Sequence, residues 1–168
     1  MGRSEAGKTT RREAIAYSVS LAFMAAFCYS TMRLVPSLPE AYWAPIAGLV
    51  VLYPAGDATK KAAFQYFAGT VIGCVVGWGC SVWWHENVAI YALGVVVGVA
   101  LCYLLRLESA ARLCSVAITV ITLIPHDASP HVVAFHRFVE VSYGVACALA
   151  YTVIADAVRE RRRRRAPD

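Results

Sequence analysis

The sequence predicts an all-α polytopic membrane protein, with six hydrophobic helices in one bundle and both ends on the cytoplasmic side. Three observations carry that prediction. Of the 168 residues, 59% are hydrophobic and only 16% are charged, against roughly 45–50% and about 25% in soluble domains. So few charges cannot cover the outside of a water-soluble fold, whereas lipid calls for such a composition. The apolar residues fall into six stretches, and all of the Lys and Arg residues except Arg33 and Arg137 sit at the two ends or at alternate breaks between stretches.

The stretches are 14–34, 42–53, 62–84, 88–105, 113–124 and 132–158. A spanning helix needs about 20 apolar residues, and the first, third, fourth and sixth reach or approach that length. The second stops at Pro54 and the fifth at Pro125, and both are short. Such segments are either tilted inside the bundle or broken and re-entrant, because irregular backbone at membrane depth is tolerated only beside protein or a water-filled cavity. The length leaves room for one bundle without a separate soluble domain. The division is a basic N-terminal segment (1–12), a membrane domain (13–158) and a basic tail (159–168). The first stretch is longer than a signal-peptide core and lacks a small-residue cleavage site, so it reads as a retained helix.

Topology follows from positive charge, which collects on the cytoplasmic side. Arg3, Lys8, Arg11 and Arg12 precede the first stretch, and Arg159 with arginines 161–165 follows the last. Both ends are therefore predicted inside, and the number of crossings is even. Six crossings also keep Lys60, Lys61, Arg106 and Arg112 inside. Four crossings would put the Lys60–Lys61 and Arg106–Arg112 loops on opposite sides, so six is preferred. The terminal arginines read as an anchor on anionic lipid headgroups. No aromatic residues interleave them, and nucleic acid is not an expected partner.

The two halves resemble each other. A shift of 71 residues pairs Pro54 with Pro125, Leu34 with Leu105, Leu52 with Leu123 and Ala63 with Ala134. It also pairs Phe64 with Phe135, Phe67 with Phe138 and Gly73 with Gly144. Three segments per half would enter the membrane from opposite sides, which predicts a 3+3 inverted repeat, the architecture of many secondary transporters. Short or interrupted segments at matching positions in such halves point to a substrate site.

Few residues can carry chemistry. Arg137 and Glu140 are three apart in the sixth stretch and share a helix face. Charges there are costly unless they are paired or face a cavity, so they are either a structural ion pair or an anion-facing arginine held by a glutamate. His136 is adjacent, and the repeat lays Gln65 and Tyr66 against His136 and Arg137. Lys60 and Lys61 open the third stretch, either as topology signals or as an electropositive vestibule for organic anions. Gly69, Gly73 and Gly77, like Gly94 and Gly98, form flat stripes for close helix packing, for sliding, or for contact with a second copy.

Other chemistry is not expected. His126, Asp127, His131 and His136 match no metal-ligand spacing. The six cysteines contain no C-x-x-C pair and read as small apolar residues. Residues 2–9 fit the phosphate-loop pattern letter for letter, yet no strand precedes them. No nucleophile–base pair is visible. Neither a cofactor nor an enzymatic activity is predicted.

Tyr42-Trp43-Ala44, then Pro54, Thr59-Lys60-Lys61-Ala62, Gly69-Thr70 and Gly73, with Arg137, Glu140 and Gly144 near the end, resemble the fusaric acid resistance and aromatic acid exporter superfamily. The resemblance covers about residues 13–157. It implies a six-helix module, often dimeric, that passes organic anions by a secondary mechanism without ATP, as in bacterial aromatic acid exporters and plant malate channels. It further implies a home in the bacterial inner membrane. By that resemblance Tyr42, Trp43 and Tyr66 would stack on an aromatic ring, and Arg137 or Lys61 would pair with its carboxylate. Gln65 stands where many members have a basic residue. A membrane assembly or regulatory subunit without transport of its own is the alternative.

Overall fold

The computed structural model describes residues 2–35, 41–53, 56–83, 87–124 and 129–165. Pro54, Pro125, His126 and Asp127, on which parts of the sequence reading rest, lie outside these residues. Among the described residues there are six α-helices: α1 (Gly2–Met32), α2 (Trp43–Val51), α3 (Gly56–Trp83), α4 (Val88–Leu104), α5 (Ala111–Leu123) and α6 (Pro130–Arg165). A 3₁₀ turn, Glu108–Ala110, leads into α5, and there is no strand among the described residues. Three stretches are long and apolar enough to cross a membrane, namely Ala14–Met32, Gly56–Val82 and Pro130–Val158, and α4 is a shorter apolar helix. The two short segments form helices of 9 and 13 residues. At 1.5 Å per residue they are about 14 and 20 Å long, well short of a hydrocarbon core of about 30 Å.

Helix ends follow local chemistry. Asn87 caps α4, its side chain accepting from the Ala89 amide at 2.9 Å, as N-cap residues do. At the other end, Leu107 N–H donates to Cys102 O at 2.8 Å and Arg106 N–H to Tyr103 O at 3.0 Å. This is a Schellman closure with Arg106 at φ 59°, a left-handed position usually given to glycine. Between α2 and α3, the Thr59 hydroxyl accepts from Tyr53 N–H at 3.0 Å and donates to Tyr53 O at 3.2 Å. The Tyr17 hydroxyl donates to Leu52 O at 2.8 Å. Neither α1 nor α6 stops where the apolar residues stop. Both continue as helix through their basic segments, because Arg and Lys are good helix formers. Residues 2–9 are therefore helical, whereas a phosphate loop is not.

Glycine decides how the helices pack. The short α5 lies along α3, and the short α2 lies along α6. A Cβ on Gly69 would meet the Ala110 carbonyl at 2.6 Å, and one on Gly73 would meet Cys114 O at 2.7 Å and Ala117 Cβ at 2.6 Å. On α6, a Cβ at Gly144 would overlap the Ala44 carbonyl and meet Ala47 Cβ at 2.9 Å. Removing the side chain lets two backbones approach until dispersion contacts replace lipid. The stripe of Gly69, Gly73 and Gly77 is thus covered by α5. Gly94 and Gly98 are covered by Cys80, Cys114 and Ile118. These faces are packed from within the chain.

Burial repeats along the two long central helices. Ala63, Tyr66, Gly69, Thr70, Gly73, Cys74, Gly77 and Ser81 are buried on α3, and each residue 71 places later on α6 is buried too, including Arg137, Glu140 and Gly144. The helix α1 sits at the edge. It buries Met24, Cys28 and Met32 and exposes Ile15, Val19, Phe23 and Phe27, an apolar face suited to lipid. The Tyr143 hydroxyl donates to Thr31 Oγ1 at 2.8 Å, and the Tyr151 hydroxyl donates to Ser20, tying α6 to α1.

Gly144→Ala is expected to lower stability by about 1–3 kcal/mol or more, because the added carbon meets backbone that cannot move aside. Gly79 has open space around it, so Gly79→Ala should gain about 0.5–1 kcal/mol from helix propensity alone. Thermal unfolding of the detergent-solubilised variants checks both signs.

Candidate anion site between α2, α3 and α6

Arg137 and Glu140 lie one turn apart on α6 and are 3% and 1% exposed. Arg137 is about 10 Å along the helix from Pro130, inside the apolar span. Its guanidinium carbon sits 3.2 Å from the centre of the Trp43 ring. Trp43 is the first residue of α2, and the Gly144–Ala44 approach brings that end of α2 onto α6. Tyr42 continues the stack, its ring 5.3 Å from that of Trp43 at 44°. From α3, Tyr66 is buried in the same packed cluster as Ala44 of α2 and Val141 of α6. One residue further on each helix, Phe67 and Phe138 touch with ring centres 5.6 Å apart.

This geometry explains why an arginine can be buried here. A guanidinium is planar, delocalised and weakly hydrated, and a desolvated cation on an indole face gains about 2 kcal/mol or more. Glu140 brings a compensating negative charge to the same face of α6. Stacking engages the flat face of the guanidinium. Hydrogen bonding belongs to its edge, whose fork of N–H groups matches a carboxylate.

A cleft of about 620 Å³ opens beside the first turns of α3. Gln65 and Tyr66 line it together with Tyr53, Tyr103, Glu108 and Arg112. Tyr66 therefore belongs both to the wall of the cleft and to the surroundings of Arg137.

Of the residues singled out in the sequence, Tyr42, Trp43, Tyr66, Arg137 and Glu140 come together, and Gln65 joins them through the cleft. Lys61 does not join them. It is exposed near the start of α3, next to Lys60, which pairs with Asp57 at 3.5 Å. An ion pair that exposed contributes little. His136 is half buried beside Phe135, ring centres 6.5 Å apart. Sequence reasoning missed Tyr53, Tyr103 and Glu108, and it read Arg112 only as a topology signal. Among the described residues no group of three His, Cys, Asp or Glu could hold a metal.

Trp43→Leu removes the cation–π partner and should destabilise the protein by about 2 kcal/mol, whereas Trp43→Phe keeps an aromatic face and should cost about half as much. Unfolding midpoints of the two variants against the parent chain check the order.

Residues 17–151 match the family described as fusaric acid resistance protein-like. No curated protein and no solved structure matches the chain. The matched region holds α2 to α5, most of α1 and α6, and every residue of the Arg137 group, so the chain belongs to the fusaric acid resistance protein-like family.

Proposed function

We propose that this membrane protein is a secondary transporter, an exporter or channel, for small organic anions, with aromatic carboxylates as the substrate class. Family membership supports transport across a membrane rather than enzymatic chemistry. The observation that carries the substrate class is the buried Arg137 stacked on Trp43, with Tyr66 buried on the neighbouring α3. An aromatic ring suits Trp43 and Tyr42, a carboxylate suits the guanidinium edge, and Glu140 keeps the arginine in place.

The inverted repeat is part of this reading. Matched burial on α3 and α6 supports it, and so does the exchange of partners, α5 on α3 and α2 on α6. Phe67 and Phe138 are equivalent under the 71-residue shift, and equivalent residues can touch each other only near a twofold axis. Their contact supports an axis beside Tyr66 and Arg137, the place where repeat transporters hold their substrates, near the bilayer midplane. With both ends cytoplasmic in the bacterial inner membrane, Lys60, Lys61 and Arg112 would face the cytoplasm and gather anions there. An ion gradient rather than ATP would drive export. A dimer would be the assembled form, held by faces other than the glycine stripes.

The other reading, a non-transporting subunit, drew on the small size of the chain and on those stripes, and the stripes are used within the chain. A cleft that reaches from the Lys60 end of the bundle to Tyr66 favours a substrate path over a dry scaffold.

Purified protein in liposomes should show saturable benzoate flux. Arg137→Ala should reduce it at least 10-fold, since a charge-assisted hydrogen bond is worth about 1.5–3 kcal/mol. Arg33, exposed and stacked on Tyr29 at 5.7 Å, serves as control, and Arg33→Ala should keep flux within about twofold. Intact flux in both variants would remove Arg137 from the mechanism.

A further inference from the structure

The cleft has features that the Arg137 site does not explain. Its volume of about 620 Å³ lies within the range of about 300–1,000 Å³ usual for small-molecule sites. Both walls are held firmly. One is the α2–α3 junction, fixed by Thr59 and Tyr17 through the hydrogen bonds already described. The other is the turn from α4 into α5, fixed by the Schellman closure at Arg106 and by the approach of Gly69 to the Ala110 carbonyl. A backbone frame held in that way lowers the ordering cost of binding. Its lining is mixed. Tyr53, Tyr66 and Tyr103 offer flat apolar faces with polar tips. Arg112 is exposed and makes no ion pair among the described residues. Glu108 lies on the same wall.

We propose that this cleft is a second, loading site for an aromatic monocarboxylate, with the carboxylate on Arg112, the ring between Tyr53 and Tyr103, and Tyr66 as the partition from the Arg137 site. The cleft lining supplies one cation and one anion. A ligand with one carboxylate can take the arginine and stay clear of Glu108. A dianion brings a second negative charge into the same 620 Å³, against Glu108, and is disfavoured. The cleft therefore selects monocarboxylates, such as benzoate, over dicarboxylates, such as phthalate. The side chain of Tyr66 is shared by the two sites, so passage from one to the other requires that ring to turn aside. This inference rests on the organic-anion reading above and narrows it to one substrate charge and a two-step path.

The test is photolabelling of the full chain in phosphatidylcholine nanodiscs with 4-azidobenzoate, followed by peptide mapping. Label should fall in residues 50–66 and 103–113, and benzoate should protect against it at concentrations at least 10-fold lower than phthalate. Labelling there should drop at least fivefold in Arg112→Gln and in Tyr103→Ala, both exposed positions that tolerate substitution, and should persist in Arg137→Ala. Label elsewhere only, label that benzoate does not displace, or label undiminished in both cleft variants would overturn the proposal. Benzoate flux in liposomes is read separately. A raised KM with unchanged maximal rate in Arg112→Gln supports a loading role. Protected label in the cleft without any flux from the parent chain would leave the site standing and remove the transport reading. Flux without protected label would do the reverse.

Discussion

The close approach of backbone to backbone, α2 on α6 at Gly144 and α5 on α3 at Gly69 and Gly73, is the constraint on which the rest of the structure depends. Helices of 9 and 13 residues are shorter than the hydrocarbon core of a bilayer, about 30 Å. Their ends and connecting turns would leave backbone polar groups in lipid, which is prohibitively costly. They are tolerated because each lies in a groove on a long helix where the side chains have been reduced to hydrogen. The α5 helix begins where Ala110 meets Gly69, about 20 Å along α3 from its first residue. The α2 helix begins at Trp43, beside Arg137. Helix ends are thus placed at depth in the bundle, and the polar side chains collect around them.

Arg137 illustrates the consequence. A lone charge in a membrane span is unfavourable by several kcal/mol, yet this one is buried to 3% exposure. The indole face of Trp43 and the negative charge of Glu140 on the same face of α6 offset the cost. A lysine could not be held this way, because its ammonium is compact and strongly hydrated. The outcome is a cation kept dry and oriented in the middle of the fold. A substrate carboxylate needs such a partner when it leaves water, and a transporter needs it bound weakly enough to release its cargo.

Much of the architecture was legible in the chain. Six apolar stretches became six helices, and the two short ones stayed short, because apolar length and proline breaks act locally. The glycine spacing announced close packing, although it did not say which helix would fill the groove. Arg137 and Glu140 were legible as a pair because a buried charge must be compensated, the 71-residue shift set Gln65 and Tyr66 against His136 and Arg137, and Tyr42 and Trp43 came from the family resemblance. His136 was drawn in by adjacency and by the same shift, and Lys61 by its charge and the family resemblance, and none of these specifies where a side chain points. The cleft was not legible. Tyr53, Tyr103, Glu108 and Arg112 come from separate junctions with no common period, and their proximity depends on how two turns fold back on α3.

By itself the sequence determined the membrane-type composition, the number and lengths of the helices, the family, and the positions of the few charges that lipid would not tolerate unpaired. These are properties of short windows of chain, set by transfer energies and helix geometry. Only the tertiary structure decided that α5 rather than a second copy fills the glycine stripe of α3, that Trp43 rather than a histidine covers Arg137, and that a cleft ends at Tyr66. Those outcomes depend on contacts between residues far apart in the chain, where shape complementarity among several packed helices, and no local pattern, selects the partner.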